Sequence, residues 1–298
     1  MFSPVHYLIR SAFAKKVPGN RPVVVIESDD WGTIRMASKE VFGRLASANP
    51  QWVNDPYLTY DAIEGNEDLE ALFDVLIRHK DGDGKHPVIT ANCVGGNPDF
   101  ARIRESQFAS FAWEDFRDTL RRYPGSDRVY EMEQQGLRDG IFVPQFHARE
   151  HIQTSRWMRA LRAGNPDLKR AFDLELISHA LPGQNTCASF FMDAFNADSS
   201  QDLEMIGDNC RKGLDLFKKT WGFYSRSIIA PCYYWHHTME EQLLEKEVRA
   251  FQGIRVQKVS RLNNQPSDFR KSYHFNGERN KNGQFYFVRN CFFEPSLD

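Results

Sequence analysis

Val23–Gly32 reads VVVIESDDWG: an apolar, β-branched run, two adjacent acids, an aromatic residue and a glycine. The run, taken as Pro22–Glu27, is too continuous for a half-exposed strand and predicts one buried on both faces, as in a parallel sheet. Similar runs follow at Pro87–Asn92 (PVITAN), Gly140–Phe146 (GIFVPQF), Ser227–Ala230 (SIIA), Gly253–Val259 and Gln284–Phe293. Helical patterns lie between them over Glu67–Lys80, Trp113–Arg122, Ser155–Ala163, Gln201–Thr220 and Met239–Val248. Thr238 and Glu241 suggest a capping box for the last of these. This alternation predicts βαβ units in an α/β fold. No Gly-rich fingerprint follows the first strand, which counts against a dinucleotide-binding sheet. Periodicity alone leaves both a barrel and an open doubly wound sheet standing.

No linker or repeat divides the chain, so a single domain over residues 1–298 is expected. The last strand-like run ends near Phe293, where a parallel barrel would add a further helix and strand. The expected domain therefore lacks those final elements.

Composition narrows the function. The chain has 298 residues, 41% hydrophobic and 26% charged, with a net charge of −2. That balance gives no basic patch for nucleic acid and no attraction to a membrane surface. Five cysteines stand singly, with no C-x-x-C pair, against both a disulfide framework and a zinc knuckle. The start, MFSPVHYLIRSAFAKK, lacks the features of a signal peptide, and no apolar window is long enough to span a bilayer. A cytoplasmic protein is expected.

The acids Asp29 and Asp30 follow the first strand, where βα folds place their chemistry. A helix cap would explain one such acid, but explains two adjacent ones less well. The second element is FVPQFHAREH, which puts His147 and His151 four residues apart at another strand exit. On one helical turn the two imidazoles would share a face and could clamp a divalent metal. Two histidines and one carboxylate make a facial ligand set with open positions. The spare carboxylate is then free to act as a general base.

SDDWG resembles the first motif of the NodB-homology polysaccharide deacetylases (carbohydrate esterase family four), and HAREH is similar to that family's second motif. The resemblance covers roughly Pro22 to Phe293. It implies a distorted, here incomplete, (β/α) barrel and a carbohydrate substrate. It also implies Asp29 as the base, with Asp30, His147 and His151 holding a divalent metal, commonly zinc. The family's third motif carries an arginine that helps to hold the base. Its counterpart here, Ile228–Trp235 (IIAPCYYW), has Ala230 at that place. The family's late Leu-x-His, which supplies an acid, has no match: His274 stands in KSYHFNG. Trp31, Tyr233 and Trp235 are candidates for lining a sugar groove, with His236 and His237 as weaker ones.

Two other readings stay open. HAREH also fits the inverted zinc-peptidase pattern H-x-x-E-H with Glu150 as base, which requires the motif to lie inside a helix. Alternatively, the barrel binds carbohydrate without catalysing, or is a fragment of a longer enzyme.

Overall fold

The computed structural model describes residues 23–48, 56–177 and 191–294. The N-terminal stretch through Pro22 and Cys187 lie outside them. One six-stranded sheet carries the fold. Its order is β1 (Ile26–Trp31), β2 (Ile89–Val94), β5 (Phe142–Ala148), β6 (Ser227–Ile229), β7 (Ala250–Gly253) and β10 (Phe285–Val288). Every neighbouring pair in it is parallel. Two antiparallel pairs stand apart: β3 (Gly96–Pro98) with β4 (Trp113–Asp115), and β8 (Val256–Ser260) with β9 (Phe269–Tyr273).

The strand order decides between the two architectures left open by the sequence. It follows the chain without reversal, which is the winding of a barrel. A doubly wound sheet would reverse at a switch point. The edges, β1 and β10, are linked through side chains. Arg289, next after β10, reaches Glu27 and Asp29 on β1 at 2.8 and 2.6 Å. The fold is thus an incomplete (β/α) barrel whose open seam is crossed by one arginine.

Several boundaries move relative to the sequence reading. β1 starts at Ile26, and Val23, Val24 and Val25 are 80%, 84% and 67% exposed. β1 pairs with β2 from Ile26↔Ile89 onward. Extending that ladder backwards would bring it to Pro87, which has no N–H to give. The expected Gly253–Val259 strand is split, because the chain leaves the main sheet after Gly253 and pairs β8 with β9 instead. The Thr238–Glu241 capping box does not form. Thr238 has helical φ/ψ, and its hydroxyl pairs with His236 Nδ1 at 2.9 Å.

The helix Ser200–Trp221 shows how the site strand is held. Ser199 caps its start by accepting from the Asp202 amide, and Gly222, at φ +87°, ends it in the left-handed region. Its buried stripe Ile206, Cys210, Leu214, Phe217 and Trp221 recurs every three or four residues and packs into the core. Gly213 sits where an added Cβ would be 2.8 Å from the Phe146 ring, so the helix lies hard against β5. Phe146 is 1% exposed, and truncating such a ring costs about 3–5 kcal/mol.

Candidate metal centre

Adjacent residues of a strand normally point to opposite faces. Asp29 and Asp30 escape this because the β1–β2 register slips between Ser28 and Trp31. Asp30 sits there at φ +70°, a left-handed conformation that costs a non-glycine residue on the order of 1 kcal/mol. The acids therefore lie within the strand, in a bulge, and not after it as the sequence suggested. Glu64 accepts the Gly32 amide at 2.9 Å and holds the turn that follows.

His147 is in β5, 3% exposed, and its Nδ1 donates to the Ile229 carbonyl on β6 at 2.7 Å. His151 lies in a bend ahead of the helix Thr154–Arg162, so the pair does not share a helical face. The bend brings the rings together instead, with centroids 4.7 Å apart. Nε2 of His147 and Nε2 of His151 each lie 3.0 Å from Asp30 Oδ1. One ligand atom from each of Asp30, His147 and His151 falls within 4.8 Å of the others.

These residues fit a divalent metal ion. With its proton on Nδ1, neutral His147 turns the Nε2 lone pair toward a carboxylate oxygen, acceptor against acceptor. A cation between them removes that conflict. Among the described residues the buried Nδ1 of His151 has no hydrogen-bond partner, so none of them fixes its proton against ligation through Nε2. Burial disfavours imidazolium at both rings. Asp30 overcomes this at His147, whose pKa is raised, but not at His151, whose pKa is lowered. Burial likewise opposes ionisation of Asp30, yet His151 and Arg35 hold its carboxyl well below the usual range.

Asp29 has different company. Arg289 grips both of its oxygens, at 2.7 and 2.6 Å, and the fully buried Asn92 donates to Oδ1 at 2.8 Å. Despite burial, Arg289 and His147 keep its pKa below the ordinary value. Asp29 is a carboxylate held ionised beside the ligand set.

A scan against protein-family models returns no match, and a search of curated proteins returns none. Among solved structures, the chain is similar to BC0361, a polysaccharide deacetylase from Bacillus cereus, at 12% identity and a TM-score of 0.35. That alignment covers 90% of this chain and 64% of the other, so the chain spans just under two thirds of that protein. It is also similar to IcaB from Ammonifex degensii, at 13% identity and a TM-score of 0.31, over 91% of each chain.

Of the groove candidates, Tyr233 lines a cleft. It follows β6 at φ +65° and borders a space of ≈ 780 Å³ with Val256, Phe275, Asn276, Arg289 and Phe292. Burial pushes its hydroxyl up to about 12, against the pull of Arg289, so it stays a neutral donor. Trp235 must be corrected: it is 3% exposed and stacks flat on Phe251, leaving no face for a ligand. Trp31 is half-buried and packs edge-on to core Phe142 at 5.3 Å.

Among the described residues, no histidine outside the ligand pair hydrogen-bonds to either acid. His236 pairs with Thr238, His237 with Glu240, and buried His274 with Gln257. The inverted-peptidase reading finds no support, because His147 is in a strand. Arg149 binds Glu150 through both oxygens, at 2.6 and 2.5 Å, and so occupies the required base.

Sequence reasoning missed two residues. Arg289 takes over the grip on Asp29 that Ala230 cannot provide, and Arg35 pairs with Asp30. The available signal was an arginine inside the last strand-like run, near the mouth where βα folds gather their side chains. No helix among the described residues is long and apolar enough to cross a membrane.

Proposed function

We propose that this chain is a metal-dependent hydrolase that removes an acyl group from a carbohydrate. The observation that carries the reading is the convergence of Asp30, His147 and His151 beside an ionised Asp29. Two neutral imidazoles and one carboxylate form a donor set suited to zinc. When bound, a divalent metal supplies Lewis acidity to an acyl carbonyl and to attacking water. Asp29, held by Arg289 and Asn92, takes the proton from that water. Arg289 also borders the cleft, so a substrate lying there would lie against the residue that holds the base. Tyr233 offers a neutral hydroxyl to a sugar or to the acyl oxygen.

Among the described residues, no histidine outside the proposed ligand pair is hydrogen-bonded to either acid to protonate a departing amine. The absence of a general acid costs about 10²–10⁴-fold in rate, and an ester leaving group feels it less. Ester cleavage is therefore expected to exceed amide cleavage. The test is acetate release from 4-nitrophenyl acetate and from an N-acetylated oligosaccharide, each with zinc or with a chelator. Zinc-dependent ester cleavage supports the proposal. Cleavage that ignores the chelator overturns it, and oligosaccharide binding without any release would mark a binding barrel instead. Robust turnover of the amide would show that a proton donor exists, with His236, His237 or His274 the first to test.

A further inference from the structure

The two oxygens of Asp30 have separate partners. Oδ1 faces both imidazoles, whereas Oδ2 is 2.5 Å from Nη2 of Arg35. The Arg35 side chain is 11% exposed. Its other neighbours are Asp61, 4.0 Å from Nε, and the Tyr57 ring, 5.6 Å from the guanidinium carbon. Among the described residues buried Nε has no hydrogen-bond partner, and the shortest contact of this cation is the one to Asp30.

We infer that Arg35 is a positioning residue that occupies Oδ2 of Asp30, so that Asp30 gives a metal one oxygen and leaves a coordination position open. The inference rests on the proposed metal site and goes beyond it. A carboxylate with both oxygens free can chelate a metal through both, filling a place needed by water or an acyl oxygen. A guanidinium on one oxygen prevents that, and its planar fork holds the carboxylate in one orientation. Its charge has a second effect. With Arg289 on Asp29 and Arg35 on Asp30, each acid of the pair is already balanced. An ion bound here keeps more of its positive charge, which favours Lewis acidity over tight retention.

Removing Arg35 should therefore separate affinity from access. In Arg35→Met, cobalt(II) should bind as tightly as in the wild type or up to about tenfold tighter, since a nearby like charge is gone. The visible spectrum of bound cobalt should change, and the further spectral shift on adding azide, which reports an open position, should weaken at least about tenfold in azide affinity. Arg35→Lys keeps the charge at Oδ2 and should restore part of the azide response, and it serves as the test if the Met variant does not fold. Weaker cobalt binding in Arg35→Met overturns the inference. So does an azide response equal to that of the wild type in both variants. Wild-type protein that binds no cobalt would bring down the metal site itself, and this inference with it.

Discussion

Asp29 and Asp30 are neighbours in the chain with opposite ways of being held. Asp30 takes its arginine from five residues along, and Asp29 takes its own from 260 residues away. Asp30 meets imidazole nitrogens that can share a cation with it. Asp29 meets only donors, the guanidinium of Arg289 and the amide of Asn92, which keep it charged and leave it no ligand partner. Their exposures are close, 26% and 28%, so solvent does not separate their roles. The neighbours do. The contrast also explains how two adjacent carboxylates persist in a half-buried site: each has its own cation.

The strongest way to break this contrast is to swap which acid is lost. Asp30→Ala should lower zinc affinity by at least about 100-fold, measured by calorimetry, because one of three ligands has gone. Asp29→Asn should keep the metal and lower zinc-dependent ester hydrolysis about 10²–10⁴-fold. If Asp29→Asn loses the metal instead, the two roles are reversed. Arg289→Met sharpens the comparison from the remote side. Its metal affinity should hold while hydrolysis falls about 10²-fold, as expected for a displaced base. The same variant opens the seam between β1 and β10. Since the pair is partly exposed, the stability loss should be about 1–3 kcal/mol by urea titration.

A smaller effect should act on both acids alike. Glu64 holds the Gly32 amide, and burial pushes its carboxyl up to about 7, while burial and Glu64 raise that of Glu133 well above its ordinary value. Unfolded, such groups titrate near 4.5. The folded state therefore binds the protons more tightly. The stability this gives is complete below about pH 4.5 and fades as pH rises through about 7. Glu133→Gln removes one buried ionisation. Followed by urea unfolding in chelator from pH 5.5 to 8, its decline should be flatter than wild type by on the order of 1–2 kcal/mol. An equally steep decline would mean that the buried pair does not govern this range.

Much of the scaffold could be read from apolar runs, because a strand buried on both faces leaves a continuous signal. The convergence of Asp30, His147 and His151 could be read too, since chemistry gathers at strand exits and the motifs flank them. Register could not. The slip at Asp30 depends on how β1 meets β2, and a one-residue offset is invisible in composition. Nor does sequence separate a rim aromatic from a core one. Trp235 and Tyr233 stand two apart in IIAPCYYW, yet one stacks on Phe251 and the other lines the cleft. Arg289 was out of reach for a third reason. Its partner lies on the far edge of the sheet, and only a curled sheet brings the edges together.

That seam bears on the order in which competence arises during folding. Asp30 is in β1, His147 is in β5 and His151 is three residues beyond it, and β2 lies between those two strands. They can come together once those three strands pair. Asp29 gains its guanidinium only when the last strand of the sheet has docked, a contact with the sequence separation that makes assembly slow. A chain caught halfway could thus hold an ion before its base is set. Proton transfer at Asp29 would then report that the whole sheet has assembled.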